Sequence, residues 1–246
     1  MDEPLVAGIR ERYVKTLDRI NAVATRSGRE AGNVRLVVVT KSQPLEVVRA
    51  AITAGASQLG ENYPEEAVKK ISVLRGSFVE WHMIGHVQGR KSALVASHFS
   101  LLHSLDSLKL AGRLSKDLVE SGKTMPVLLE VNVSGEGSKF GFPGWNEQTW
   151  TDLLPIFKQI IELPGLVVRG LMTMPPFFTD PDDARPYFQR LKRFQIILND
   201  RMPQAEWSEL SMGTSVDFVT AVEEGATIVR IGQAILGPRP GLKQYD

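Results

Sequence analysis

One lysine directly follows the most continuous short apolar run of the chain. Residues 36–40 read Leu-Val-Val-Val-Thr, and Lys41 comes next. A β-branched run of this length is typical of a strand that is buried on both faces. A lysine at its end would be partly desolvated, and desolvation favours the neutral amine that forms Schiff bases. Position alone favours the alternative, a lysine that reaches out to water, because lysine is almost never buried without a partner.

Two glycine-containing segments late in the sequence have the residues of an anion site. Residues 211–215 read Ser-Met-Gly-Thr-Ser and precede a predicted helix, whose backbone N–H groups and dipole favour a negative group. Residues 229–232 read Val-Arg-Ile-Gly, in which Gly232 allows close backbone approach and Arg230 carries a fixed positive charge. An ordinary helix cap would explain one hydroxyl of the first segment. Together the two segments favour a phosphate site.

Other polar residues carry weaker signals. Asn62 follows the second predicted strand, where it could also serve only as a helix cap. His82 and His86 have the spacing of a two-histidine metal pair, but such a pair needs helical geometry and a neighbouring glutamate, so we expect no metal. Lys139 lies in the Gly-rich stretch 134–144, where we expect a solvated side chain on a loop that could act as a lid.

The elements that would position these residues alternate along the chain. The strand candidates are residues 36–41, 57–60, 78–84, 99–102, 127–133, 166–172, 209–210 and 227–231. Helical periodicity precedes the first strand, between Val6 and Val23, and recurs at 45–54, 64–74, 108–120, 146–162, 180–198 and 216–224. Regular alternation predicts a parallel sheet covered by helices. Eight units favour a closed (β/α)₈ TIM barrel with an extra N-terminal helix, and an open doubly wound sheet is the alternative. In a closed barrel, the C-terminal strand ends would meet at one mouth.

Length and composition limit the classes of protein to which the chain can belong. The 246 residues suit one barrel of about 250 residues, so we expect residues 1–246 to form a single domain. A net charge of +1 suggests neither nucleic-acid binding nor attachment to an acidic membrane. The absence of cysteine excludes disulfides, thiol nucleophiles and cysteine-based zinc sites, and it fits a reducing cytosol. No signal peptide or membrane span is recognisable, so we expect a cytoplasmic protein.

A set of short segments, taken in order, resembles one known family. The matching segments are residues 38–41, 60–63, 81–88, 131–136, 138–141, 170–174, 210–213 and 229–232. Each is weak alone, but the ordered set covers nearly the whole chain and resembles the pyridoxal phosphate homeostasis proteins. Two positions depart from the family pattern: Thr214 stands where methionine is usual, and residues 89–90 read Gly-Arg where Ser-Asn is usual.

The resemblance implies a fold similar to the barrel domain of alanine racemase, with pyridoxal 5′-phosphate (PLP) bound. Lys41 would form the Schiff base, and Arg230 would contact the phosphate or the pyridine nitrogen. The serines and the backbone at the two glycines would hold the phosphate, to which Thr214 could add a hydroxyl. Asn62, with His82 or Met83, would lie near the ring. The implied cofactor-binding residues are Lys41, Asn62, His82, Met83, Ser211, Gly213, Thr214, Ser215, Arg230 and Gly232.

For function, the resemblance implies a carrier or regulator in vitamin B6 homeostasis with little or no turnover. The alternative is a PLP-dependent amino-acid racemase or related enzyme. Racemases of this barrel type take a second acid–base group, a tyrosine, from a C-terminal β domain, and we expect no such domain after Gly237, with Tyr245 a poor substitute. The residues alone also fit a Schiff-base aldolase acting on a phosphosugar, which does not explain the full set of motifs.

PLP is the expected small-molecule partner, and PLP-dependent apoenzymes would be its recipients. We expect a monomer or weak dimer. Whether Lys91 or Lys139 takes PLP at a second site stays open from the sequence.

Overall fold

Eight parallel strands close into a ring in the computed structural model, which describes residues 2–238. The strands are β1 (Arg35–Val39), β2 (Gln58–Glu61), β3 (Glu80–Met83), β4 (Leu101–Leu105), β5 (Met125–Asn132), β6 (Leu166–Met172), β7 (Glu209–Ser211) and β8 (Ile228–Ile231). Each strand pairs in parallel with the next, and β8 returns to pair with β1. The predicted closed barrel is therefore confirmed, and the open sheet is not found.

Helices surround this ring and cover its outer face. They are α1 (Glu3–Arg26), α2 (Leu45–Ala54), α3 (Pro64–Val73), α4 (Ser92–His98), α5 (Leu108–Glu120), α6 (Leu154–Ile161), α7 (Arg185–Arg201), α8 (Phe218–Glu223) and α9 (Gln233–Leu236). The extra N-terminal helix is confirmed as α1, which packs against α2, α8 and α9. Among residues 2–238, no helix combines the length and the apolar character that crossing a membrane requires.

The structure differs from the predicted elements at four helices. The helix predicted over residues 180–198 begins as a 3₁₀ segment, Pro181–Ala184, which Asp180 caps, and continues as α7. The predicted set lacks α4 because residues 92–105 contain no Lys, Arg, Asp or Glu, so the amphipathic pattern that reveals a surface helix is faint there. The predicted helix 146–162 is divided into a 3₁₀ segment, Glu147–Leu153, and α6. Pro155 lies in the first turn of α6, where its missing N–H is tolerated, so it marks a new start. The short α9 was also not predicted.

Apolar side chains form two separate clusters among the described residues. The larger cluster fills the space between the strands and the helices. The smaller one consists of Val37, Leu101, Leu128, Met172 and Ile228. Because side chains alternate along a strand, these five point to the inside of the ring while their neighbours pack outward. The interior of the barrel therefore has only a thin apolar layer, with polar side chains above and below it.

Candidate functional site

A cavity of about 790 Å³ opens at the C-terminal ends of the strands. Its wall brings together six of the residues expected from the sequence, namely Lys41, Asn62, Thr214, Ser215, Arg230 and Gly232. Their elements are far apart in sequence, and the barrel alone gives them a common mouth. Asn62 does not cap the next helix, because α3 begins without a side-chain cap. This mouth is the candidate binding site, and we call it the upper cavity.

The turn that carries Lys41 is held from both sides. Ser42, which follows it, has a φ of 57°, and it is the one residue other than glycine with a positive φ among residues 2–238. The backbone N–H of Ser42 donates to Glu66 Oε1 at 2.9 Å. Lys70 Nζ bridges the turn by donating to that same carboxylate oxygen at 2.7 Å and to the carbonyl of Thr40 at 2.8 Å. The backbone before and after Lys41 is therefore fixed by side chains of α3.

Glu61, at the end of β2, anchors this arrangement from below. It is fully buried, and its Oε1 accepts hydrogen bonds from Lys70 Nζ at 2.8 Å and from Thr40 Oγ1 at 2.7 Å. Burial raises the pKa of Glu61, and the charge and hydrogen bond of Lys70 oppose that shift. Oε2 has no hydrogen-bond partner. A buried carboxylate of this kind depends on its cation, since an unpaired buried charge is costly.

Arg230 rises from the barrel interior to the upper cavity. Its guanidinium donates to Ser211 Oγ at 2.5 Å and to the carbonyl of Thr173 at 2.9 Å, and it contacts Met174 Sδ at 2.8 Å. Burial lowers its pKa to about 10, so it remains a cation at neutral pH. Arginine can only donate hydrogen bonds. The cavity therefore contains a fixed positive donor beside the Lys41 turn.

The loops after β7 and β8 meet beside this arginine. Ser215 Oγ accepts a hydrogen bond from the backbone N–H of Ala234 at 3.4 Å, which joins the two loops and leaves the hydroxyl proton of Ser215 free to donate. The hydroxyl of Thr214 instead donates to Asp217 Oδ1 at 2.9 Å. A hydroxyl whose proton is already donated cannot also donate it to a phosphate oxygen. Ser215 therefore suits an anion better than Thr214 does.

The two glycines of these loops lie where a side chain would collide, at Gly213, or fit only tightly, at Gly232. A Cβ on Gly213 would stand 2.6 Å from Cβ of Ala221, and the residue has a φ of +94°. A Cβ on Gly232 would stand 3.2 Å from the carbonyl oxygen of Val39. Gly232 lines the upper cavity, whereas Gly213 lies behind it against Phe218 and Ala221 of α8. Close backbone packing at both glycines keeps the loops drawn together.

Three further residues expected at the site lie elsewhere. Ser211 is fully buried beneath Arg230 and is not on the wall of the upper cavity. Met83 is fully buried in the outer apolar cluster. His82 lines a second cavity of about 430 Å³ at the N-terminal ends of the strands, which we call the lower cavity. In their place, Ile84 and His86 bring the β3 loop to the upper cavity. Because His82 and His86 face opposite ends of the barrel, they do not form a metal pair.

Glu130 is a cavity residue that the sequence analysis did not single out. It lies on β5 and on the wall of the upper cavity, and its buried Oε2 has no hydrogen-bond partner. Burial raises its pKa to about 7, with Asp106 adding to the shift and Arg230 and Lys139 opposing it. The two-residue alternation of side chains along a strand could have indicated it, because Glu130 lies two residues after the inward-facing Leu128 in an otherwise apolar run.

The β5 loop folds over one side of the mouth. Phe140 stacks on the ring of His86 with centroids 3.7 Å apart, and His86 Nδ1 lies 2.7 Å from Asp106 Oδ2. Lys139 is held rather than solvated, because its Nζ donates to the carbonyl of Met174 at 2.8 Å. Lys91, on another part of the wall, forms an ion pair with Glu65. Both lysines therefore have anionic or carbonyl partners close to the site.

This combination of fold and site defines a class. The model of the family "Alanine racemase, N-terminal domain" matches residues 16–240. A solved alanine racemase of Clostridium difficile 630 shares the fold, with a TM-score of 0.71 and 14% identity over 96% of this chain and 57% of that one. The chain thus belongs to the class of barrels that the N-terminal domain of alanine racemase defines.

Closer relatives narrow the class. A pyridoxal phosphate homeostasis protein of Aquifex aeolicus is 39% identical over 229 residues, which are 93% of this chain and 97% of the relative. The structure of PipY from Synechococcus elongatus PCC7942, described as having PLP bound, is 30% identical with a TM-score of 0.79 over 93% of this chain and 100% of that one. The chain belongs to the family of pyridoxal phosphate homeostasis proteins.

Proposed function

We propose that this protein binds PLP in the upper cavity, with Lys41 as its Schiff-base lysine, and takes part in PLP homeostasis with little or no turnover. The observation that carries the proposal is the meeting of Lys41, Arg230 and Ser215 on one cavity wall. The amine of Lys41 matches the aldehyde of PLP, and the cation of Arg230 matches its ring nitrogen or its phosphate. The hydroxyl of Ser215 matches the phosphate. The names of the relatives support the same proposal.

The residues present fit this cofactor. When bound, PLP supplies an aldehyde that condenses with amines and a ring that acts as an electron sink. The amine of Lys41 would bond to the aldehyde from a turn held by Glu66 and Lys70. Ser215 and the backbone beside Gly232 would bind the phosphate, since these two loops form the usual phosphate site of the barrel. Asn62 would lie along the ring.

The wider role follows from this binding. A protein that holds the aldehyde on a lysine keeps it from other amines and can release it to acceptors. We propose PLP-dependent apoenzymes as the recipients, a monomer or weak dimer as the assembly, and the cytoplasm as the location. We also propose that residues 1–246 form one domain, of which the described barrel is the body.

The test is the visible absorption spectrum of purified protein after addition of PLP, before and after borohydride reduction, followed by peptide mapping. We expect a yellow Schiff-base band that reduction traps on Lys41. Lys41→Ala should lose this product and keep its fold, while Lys91→Ala and Lys139→Ala serve as matched controls. A colourless protein that takes up no PLP would overturn the proposal. A reduced product on Lys91 or Lys139 in the parent protein would establish the second site.

A second candidate function is amino-acid racemisation, and Glu130 is the observation that favours it. A cavity carboxyl with a pKa of about 7 can both give and take a proton near neutral pH. The test incubates the PLP-loaded protein with L-amino acids in deuterated water. Incorporation of deuterium at the α-carbon, and its loss in Glu130→Gln, would favour the racemase. No exchange would leave the carrier function alone.

A further inference from the structure

A continuous line of polar side chains runs down the inside of the barrel from Arg230. Arg230 Nη1 lies 2.5 Å from Ser211 Oγ, and Ser211 Oγ lies 2.8 Å from His103 Nδ1. His103 Nε2 in turn lies 2.9 Å from His82 Nδ1. All four residues are at most 3% exposed. Each member of the line is thus hydrogen-bonded to the next, and none of the proposed cofactor contacts uses His103 or His82.

The chemistry of the members gives this line one direction. The guanidinium only donates, so Ser211 Oγ accepts from it. Among the described residues the other hydrogen-bond partner of Ser211 Oγ is His103 Nδ1, and a proton on that nitrogen would leave the buried serine proton without an acceptor, so Ser211 donates to Nδ1. His103 then carries its proton on Nε2 and donates it to His82 Nδ1. His82 is left with its proton on Nε2, which faces the lower cavity, 3.6 Å from Glu80 Oε2. Every proton in the line points away from Arg230.

Both imidazoles suit this arrangement only when they are neutral. Burial lowers the pKa of His82 to about 4, with Arg35 adding to the shift and Glu80 and Glu209 opposing it. Burial also lowers the pKa of His103, and the neighbouring His82, Arg230 and Arg35 act in the same direction. A protonated His103 would carry a hydrogen on Nδ1 and could no longer accept from Ser211.

We propose that His103 and His82 are positioning residues, which act through Ser211 to hold the guanidinium of Arg230 in place at the cofactor cavity. The proposal rests on the proposed function, because it is the contact between Arg230 and PLP that they would orient. Ser211 thereby has a role different from phosphate binding. With Nη1 fixed from below and Nη2 fixed by the carbonyl of Thr173, the guanidinium cannot rotate without breaking a buried hydrogen bond.

The first test needs no cofactor. The chain has only four histidines, so the imidazole nitrogens can be assigned by NMR of isotope-labelled, PLP-free protein. We expect His103 and His82 to be neutral with the proton on Nε2 at neutral pH. Ser211→Ala should move the Nδ1 resonance of His103 toward that of a nitrogen without a donor, while His98 stays unchanged. A proton on Nδ1 of His103 in the parent protein would overturn the proposal.

The second test measures the rate at which bound PLP dissociates. Loss of one buried hydrogen bond is worth about 1 kcal/mol, so His103→Leu should release PLP roughly five- to tenfold faster than the parent. His103→Gln, which can again accept from Ser211, should recover part of this loss, and His98→Gln is the control. Equal rates in folded His103→Leu and parent protein would overturn the positioning role. Failure of the parent to bind PLP would overturn the proposed function, whereas the NMR test on PLP-free protein would still decide whether His103 and His82 hold Ser211 and Arg230 in place.

Discussion

At the scale of single residues, Glu130 lies in an environment that opposes its usual charge. Its carboxyl lies on the wall of the upper cavity, where burial raises its pKa to about 7. An ordinary glutamate in the unfolded chain ionises near 4.5. The folded protein therefore binds this proton more tightly than the unfolded chain does, and ionising the group above its folded pKa costs stability.

We predict that Glu130→Gln gains stability relative to the parent as the pH rises. The difference in free energy of unfolding should grow from about pH 4.5 to about pH 7 and then stay constant. The gain should be on the order of 1 to 3 kcal/mol, since the group is not wholly cut off from solvent. Urea unfolding of PLP-free protein across this range would measure it, with the exposed Glu120→Gln as control. A difference that does not change with pH would contradict the prediction.

The residues of the site could be predicted from the sequence where the ends of their strands could be located in it. Lys41 and Arg230 follow or end apolar runs in the sequence, and the barrel rule then places them at one mouth. We expected His82 near the cofactor ring because its motif gives its position along the chain but not its depth inside the barrel. The depth of an inward-facing side chain along the barrel axis depends on how neighbouring strands are staggered, which the sequence does not reveal. His82 therefore lies one layer lower than its motif suggests.

At the scale of elements, the hydrogen bonds from α3 to the turn after β1 determine how Lys41 is presented. Lys70 lies on α3, one turn after Glu66, and its ammonium is the shared donor for the Lys41 turn and for the buried Glu61. A motif centred on the strand ends cannot reveal this, because Lys70 reads as one more charge on a surface helix. Its burial becomes visible only when α3 packs against the sheet.

We predict that Lys70→Met destabilises the fold by about 3 to 5 kcal/mol at neutral pH, because it leaves Glu61 buried without its cation. The loss should be smaller in mildly acidic solution, where the buried carboxyl can take up a proton. Chemical unfolding at the two pH values measures the difference. Lys69→Met, at an exposed neighbouring position, is the control. An equal loss at both pH values would mean that Glu61 is not the group left unpaired.

Element types were predicted well and element ends less well. The β6 strand matches its prediction residue for residue, because residues 166–172 are mostly apolar and follow a turn at Pro164 and Gly165. The helix α4 was missed because its sequence lacks charges, and the predicted helix 146–162 was broken by a proline that only tertiary packing makes decisive. Local pattern therefore predicts where an element lies, while packing determines where it ends.

At the scale of the whole molecule, α1 covers the seam at which the last strand, β8, meets the first. It packs on α2 from one side and on α8 and α9 from the other. Ile9 and Ile20 of α1 are fully buried in the outer apolar cluster. The helix therefore links the first and the last helices of the barrel, although it contributes no residue to the upper cavity.

We predict that Ile20→Ala destabilises the whole barrel by about 2 to 5 kcal/mol, since it leaves a gap at this seam. Val14→Ala, on the same helix and 47% exposed, should change stability by less than about 0.5 kcal/mol. Unfolding followed by circular dichroism and by tryptophan fluorescence should give coincident curves. Two separate transitions in Ile20→Ala would show instead that α1 unfolds independently of the ring.

The five-residue apolar cluster inside the ring has a consequence for how the sequence can change. Because it is small, most hydrophobic burial lies outside the strands, between them and the helices. Selection for folding therefore acts mainly on the larger apolar cluster between the strands and the helices, and selection for chemistry acts on the polar side chains inside the ring. During evolution, the polar side chains inside the ring can be replaced while the outer apolar cluster is retained, so the same fold can carry several functions in succession.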